Sequence, residues 1–147
     1  MCTVSWFHEP GGYQLFCNRD EKLSRKQALE PRQWTREGVR FTAPIDADAG
    51  GAWIALNEFG LSLCLLNGGG SPAFRREPKR SRGQLVLDLI PSESLRDFRA
   101  RLREQDLGCF APFALLALQP GNYATVARWD RERLQVWPYG ERWMPLA

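Results

Sequence analysis

Residues 2–7 alternate apolar with polar types and are rich in β-branched and aromatic side chains. Residues 13–17 repeat the pattern after Glu9-Pro10-Gly11-Gly12. Period-two alternation gives a strand one apolar face, so two such runs around a Pro-Gly-Gly turn predict a β-hairpin. Residues 18–37 are polar and broken by Pro31, which predicts at most a helical turn at 23–29. A second hairpin is predicted from 50–57 and 61–67, joined by Glu58-Phe59-Gly60. Three further strands are predicted at 112–118, 123–129 and 134–137, with turns at Pro120-Gly121-Asn122 and at 130–133.

Helical periodicity is confined to the middle of the chain. Residues 84–90 fit either a short helix or a strand, whereas Pro91-Ser92 opens a clear helix that runs to about Gln105. Ser94 and Asp97 offer an N-terminal capping pair, and Leu95, Phe98 and Leu102 recur at the spacing of one helix face. Arg96, Arg99, Arg101 and Arg103 take the other faces, as in a surface helix lying on a sheet. About seven strands and two helices joined by short turns predict an α+β protein with a largely antiparallel sheet.

Composition bounds this picture. The chain has 147 residues, 44% of them hydrophobic, with six Trp and eight Phe, enough core material for one domain spanning 1–147 and too much for disorder. The longest apolar runs, 61–66 and 113–118, are strand-sized and far short of the ~20 residues of a membrane-spanning helix. The N-terminus lacks the basic and apolar regions of a secretory signal.

The formal charge of +3 is concentrated between residues 75 and 82, where Arg75, Arg76, Lys79, Arg80 and Arg82 face only Glu77. Gly68-Gly69-Gly70, Pro72 and Pro78 frame that run as a solvated connector. Nucleic-acid binding ranks last among functions, because no stacking aromatics are interleaved there.

Cys2, Cys17, Cys64 and Cys109 show no CxxC spacing and the one histidine is His8, so a structural zinc site is not expected. Four cysteines without a signal peptide point to free thiols in the cytoplasm. Cys17 and Cys64 sit in apolar runs and read as core. Trp6, Trp53, Trp129 and Trp137 fall within strand patterns and read the same way.

Cys2 is distinguished by its position after the initiator Met1. Removal of Met1 leaves a residue that carries both a thiol and a free α-amine. The amine has a reference pKa of about 7.7–8.0, close enough to neutrality to serve as general base for its own side chain.

The surroundings of Cys2 make a larger pattern. Met1-Cys2-Thr3-Val4 is followed after the hairpin turn by Cys17-Asn18-Arg19-Asp20-Glu21. Gly38-Val39-Arg40, Ala43-Pro44, Gly50-Gly51-Ala52-Trp53-Ile54, Asn57-Glu58-Phe59-Gly60, Leu65-Leu66-Asn67 and Ser81-Arg82-Gly83 come next. In this order over residues 1–83 they resemble the NRDE family, also called the transport-and-Golgi-organisation family. The likeness is looser beyond Gly83, carried by Pro112-Phe113 and Trp143-Met144-Pro145-Leu146. Ala52 stands where the family pattern has Thr.

The resemblance implies an N-terminal-nucleophile (Ntn) hydrolase-like αββα sandwich with antiparallel sheets, distantly similar to choloylglycine hydrolases and penicillin V acylases. Carried over residue by residue, it makes Cys2 the nucleophile and Arg19 the cation that favours its thiolate. Asp20 would orient the α-amine, and Asn67 would donate to the tetrahedral oxyanion. The amidohydrolase pattern has its Asp three residues after the Arg, where this chain has Lys22, so Asp20 reaches the site by another path or Glu21 substitutes. Read without the family, Arg19, Asp20 and Glu21 equally form a salt-bridged turn against a 38–44 loop, and Asn67 is a plain turn former.

Two functions of different class follow. One is a cysteine amidohydrolase that attacks a non-peptide amide and needs no cofactor. The other is a non-catalytic carrier of a small ligand such as haem, with His8, a cysteine or Met144 as axial candidates. NRDE-like sequences usually run on past this length, which implies a fold incomplete at the C-terminus. An apolar sheet face would then be left for a partner subunit, as in a homo-oligomer.

Overall fold

The computed structural model describes residues 3–21, 23–68, 78–121 and 124–139. The predicted N-terminal hairpin is present as β1 (Thr3–Glu9) and β2 (Gly12–Asn18). Glu9 pairs with Gly12, so the turn is the two residues Pro10 and Gly11, and Gly11 takes a left-handed φ of 89°. Proline pre-sets the first corner of such a turn, and glycine supplies the second at no steric cost.

The polar stretch 18–37 departs from expectation, and so does the 38–44 loop. They contain β3 (Leu29–Arg36) and β4 (Val39–Ile45), joined by a tight turn at Glu37 and Gly38, both with positive φ. β3 is an edge strand, exposed at every position, and therefore lacks the one-sided apolar alternation by which a strand is read. Pro31 is tolerated because it lies on that edge, within an irregularity of the β3–β4 register between Leu29 and Arg32. In β4, Val39, Phe41 and Ala43 alternate inward.

β5 (Ile54–Asn57) and β6 (Ser62–Asn67) form the second predicted hairpin. The chain then leaves the sheet for α1 (Arg82–Leu89), which settles the helix-or-strand ambiguity at 84–90 in favour of helix, and for α2 (Leu95–Glu104). The Ser94 hydroxyl accepts from the Asp97 N–H at 3.1 Å, and Leu95, Phe98 and Leu102 are buried, as the periodicity predicts. The chain returns as β7 (Phe113–Leu118), β8 (Ala124–Trp129) and β9 (Leu134–Tyr139).

β3 to β9 make one seven-stranded antiparallel sheet whose spatial order is the chain order. Its two faces are covered differently. The helices pack on one, where Phe41, Leu63, Leu65, Leu85, Leu89, Phe98, Phe113 and Leu115 belong to a single core. The β1–β2 hairpin packs on the other, where Val4, Trp6, Tyr13, Leu15 and Cys17 meet Cys64, Leu66, Leu116 and Val126. The outer face of the hairpin carries the stacked rings of Phe7 and Phe16, both exposed, with centroids 6.1 Å apart.

Of the tryptophans read as core, Trp6 is buried and Trp129 packs against the helix-side core, but Trp137 is exposed. The basic connector is also more tied down than its composition implies. Arg80 donates to Asp88 at 2.8 Å and lies over the Phe110 ring, and Arg82 donates to the Pro112 carbonyl at 2.9 Å. Arg75, Arg76 and Glu77 lie outside the described residues.

Candidate active site

A cavity of about 190 Å³ opens where five segments converge. Arg19, Glu21 and Arg25 follow the end of β2, Asp46 follows β4, and Gly51, Ala52 and Trp53 lead into β5. Leu65 and Asn67 come from β6, and Ser81, Arg82 and Gly83 from the start of α1. Each is a strand end or helix start, where backbone direction changes and side chains are free to converge.

Arg19 is held from two sides. Its guanidinium carbon lies 4.2 Å from the centroid of the Trp53 ring, and Nη2 donates to Asp46 Oδ2 at 2.6 Å. Arg25 Nη1 donates to the same oxygen at 2.7 Å, and Glu21 Oε1 stands 3.3 Å from Arg25 and 3.4 Å from Arg19. The other Asp46 oxygen accepts the N–H groups of Asp48 at 3.0 Å and Ala49 at 2.9 Å. Burial pushes the Asp46 carboxyl up. The two N–H groups and the charges of Arg25 and Arg19 outweigh that effect and hold it below its ordinary value. Asp46 is therefore an anchored anion whose position fixes both arginines.

Backbone contact shapes the cavity floor. The Ala52 N–H donates to the Gly83 carbonyl at 3.1 Å, and a Cβ on Gly51 would stand 2.5 Å from the Gly83 carbonyl carbon. Only glycine at position 51 permits that approach. Two motifs far apart in sequence, Gly50-Gly51-Ala52-Trp53 and Ser81-Arg82-Gly83, are thus complementary surfaces of one contact. Gly68 makes a similar approach to Pro112 and Phe113 directly after Asn67.

Of the residues singled out from the sequence, Arg19 and Asn67 line this cavity together. Asp20 is not among its lining residues, whereas Glu21 is. The carboxylate that grips Arg19 is Asp46, which sequence reasoning passed over. Its signal was the run Ile45-Asp46-Ala47-Asp48-Ala49-Gly50, an Asp that turns the chain by accepting N–H groups two and three residues on. Trp53, read as core, is half-buried and serves as a platform for Arg19. Met1, Cys2 and Lys22 lie outside the described residues. Thr3, next to Cys2 in sequence, pairs with Asn18, the residue before Arg19.

The Asn57-Glu58-Phe59-Gly60 motif is a brace rather than part of the cavity. Buried Asn57 donates to the carbonyls of Ile90 at 2.8 Å and Ser92 at 2.7 Å, and its Oδ1 accepts from Phe59 and Leu61, each at 3.0 Å. Glu58 takes the backbone N–H and the guanidinium of Arg40. The Val39-Arg40 and Asn57-Glu58 motifs therefore meet each other.

Among the described residues, no group of three or more His, Cys, Asp or Glu side chains is placed to hold a metal ion. His8 sets its ring edge against Tyr13 and does not line the cavity, and Met144 is outside the described residues.

A helical layer, a seven-stranded antiparallel sheet and a second, two-stranded β layer correspond to three layers of an αββα sandwich, and solved structures with the Ntn-hydrolase fold superpose on the chain. A variant of conjugated bile acid hydrolase from Clostridium perfringens matches with a TM-score of 0.63 at 12% identity, over 95% of this chain and 51% of that one. Penicillin V acylase from Agrobacterium tumefaciens matches with a TM-score of 0.51 at 12% identity, over 93% of this chain and 41% of that one. The chain thus spans about half the length of these structures or less. No curated protein sequence matches it. The model of the Transport and Golgi organisation 2 family matches residues 1–140, and the chain belongs to that family. No helix among the described residues is long and apolar enough to cross a membrane.

Proposed function

We propose that this chain carries the nucleophile-bearing part of a cysteine Ntn amidohydrolase acting on a non-peptide amide, linear or cyclic, in the cytoplasm. The observation that supports it is that Arg19 and Asn67, chosen from sequence for separate roles, line one cavity with an anchored acid beside them. In this reading, loss of Met1 frees the Cys2 amine, which takes the thiol proton, and the Arg19 charge favours the thiolate. The sulfur attacks the amide carbonyl, and Asn67 donates to the resulting oxyanion. The C–N bond then breaks, the amine leaves with the proton, and water hydrolyses the thioester. Asp46 positions the Arg19 cation, while Asp20 or Glu21 orients the Cys2 amine.

The test is intact mass, for loss of Met1, followed by labelling with an electrophilic thiol probe. The mature protein is expected to label at Cys2, and Cys2→Ala to lose that label. Equal labelling of the variant, or retention of Met1 in the native host, rejects the reading.

A second reading, carriage of a small apolar ligand such as haem without turnover, is favoured by a separate groove. It measures about 530 Å³ and is lined by Tyr13, Leu15, Pro44, Ile54 and Leu56. That volume falls within the roughly 300–1,000 Å³ of small-molecule sites, whereas the Arg19 cavity does not. Titration with haemin and a saturable Soret shift would support carriage, and a linear, unsaturable response would sink it.

A further inference from the structure

Arg19 and Arg25 both line the cavity and both reach Asp46, each through a single nitrogen. A carboxylate paired bidentately would take two nitrogens of one guanidinium. Asp46 instead gives Oδ2 to one nitrogen from each arginine and spends Oδ1 on the N–H groups of Asp48 and Ala49. Glu21 adds only longer contacts to the same two nitrogens, at 3.3 Å and 3.4 Å. The arginines differ in which nitrogen they spend. Arg19 uses Nη2, the nitrogen shared by both hydrogen-bonding edges of a guanidinium. Arg25 uses Nη1, so its Nε and Nη2, adjacent on one edge, have no acceptor among the described residues. Arg25 thus presents a complete empty fork at the cavity.

Arg82, at the start of α1, is a third guanidinium on the cavity wall, oriented by the Pro112 carbonyl at 2.9 Å. Three arginines against the carboxylates of Glu21 and Asp46 leave the lining residues with one positive charge in excess. We propose that the cavity binds a carboxylate group of the substrate, held by the empty fork of Arg25 together with Arg82, which makes Arg25 a specificity-determining residue for amides that bear an acid. That the anion belongs to a substrate rests on the amidohydrolase reading; that the cavity holds an anion does not.

A planar fork with parallel N–H groups is pre-organised for a carboxylate, and both bonds are charge-assisted. A neutral amide in the same place offers a weaker acceptor and leaves the excess charge uncompensated, so discrimination has two sources. The single excess charge also matches a carboxylate monoanion better than a phosphate group near its second ionisation. The volume of about 190 Å³ suits the acidic end of a ligand rather than a whole one. Arg19, engaged by Asp46 and the Trp53 ring, keeps its role beside Cys2. Recognition and thiolate stabilisation therefore fall to different arginines.

The test titrates the full chain with butyrate and with its neutral isostere butyramide, following arginine side-chain Nε–H signals by NMR. Butyrate is expected to shift the Arg25 signal saturably and butyramide to leave it in place. Arg25→Gln and Arg82→Gln should each weaken butyrate binding about tenfold, the worth of one charge-assisted hydrogen bond. Arg25→Lys keeps the charge without the fork and should recover only part of the loss; it also carries the comparison if Arg25→Gln does not fold. Equal responses to butyrate and butyramide, no saturable shift, or tighter binding of inorganic phosphate than of butyrate overturns the proposal. The link to substrate is read by alkylating Cys2 of the mature protein with iodoacetate and with iodoacetamide. The ratio of the two rates cancels changes in thiolate reactivity, and it should fall about tenfold in Arg25→Gln. A ratio that Arg25→Gln does not alter overturns that link. If Cys2 takes neither reagent while butyrate still binds, the amidohydrolase reading fails and the anion site stands, so the two failures are distinguishable.

Discussion

Arg19 rests on the face of Trp53, 4.2 Å from its centroid, while Asp46 holds the same guanidinium at 2.6 Å. The ring fixes the plane of the side chain and the carboxylate fixes its reach, so the cation has one orientation in the cavity. Replacing Trp53 with Leu removes the π face but keeps apolar bulk. The expected cost is about 1 kcal/mol of stability, with slower Cys2 labelling and less effect in Trp53→Phe. Thermal denaturation and labelling rates measured side by side check this.

Asp46→Asn should cost about 1.5–3 kcal/mol at neutral pH, the usual range for hydrogen bonds to a charged group. The pH dependence has a definite sign. The folded Asp46 carboxyl is held below its ordinary value, so its contribution is fully present above the unfolded-state pKa of about 3.9. It is lost as the pH falls through the lower folded-state value. The stability difference between wild type and Asp46→Asn, followed by denaturant titration, should therefore be flat from neutrality to about pH 5 and shrink on further acidification. A difference that grows with acid would contradict the assignment.

Asn57→Ala leaves the Ile90 and Ser92 carbonyls without their donor and the Phe59 and Leu61 N–H groups without their acceptor. A loss of about 2–4 kcal/mol is expected from buried polar groups stripped of partners. Because Asn57 braces the fold without lining the cavity, labelling of Cys2 well below the variant's melting temperature should match the wild type. Unequal labelling would move Asn57 into the site.

Gly51→Ala places a Cβ 2.5 Å from the Gly83 backbone. The expected penalty is about 1–3 kcal/mol, as for other overpacked positions. The strain falls on the contact between the Gly51 segment and the start of α1, so labelling should slow even where the variant remains folded. Gly12→Ala is the control, since nothing stands within 4 Å of a Cβ there. Comparing the two by calorimetry separates steric strain from a general intolerance of substitution.

The legible parts of this chain were those whose signal is local. Pro10-Gly11 specifies its own turn, and Ser94, Asp97 and the Leu95-Phe98-Leu102 stripe specify their own helix. β3 was not legible because every one of its side chains is exposed, and its pairing rests on backbone groups that carry no sequence pattern. Trp53 was misread because a ring in a strand pattern looks the same whether it faces a core or an arginine. Arg19 and Asn67 were found through the order of motifs. Asp46 was missed because its partners, Arg19 and Arg25, come from a segment more than twenty residues earlier.

The spatial order of the large sheet is its chain order, each strand from β4 to β9 pairing with its predecessor. Such a meander can zip from either end with short loop closures at every step except the helical excursion between β6 and β7. Docking of the β1–β2 hairpin across the finished face is different in kind, because it joins segments with no shared ladder. That docking also brings Arg19 to Asp46 and Trp53. The cavity is therefore assembled only when the most non-local step of folding is complete, and occupancy of the Arg19–Asp46 contact reports on the arrival of the native state itself.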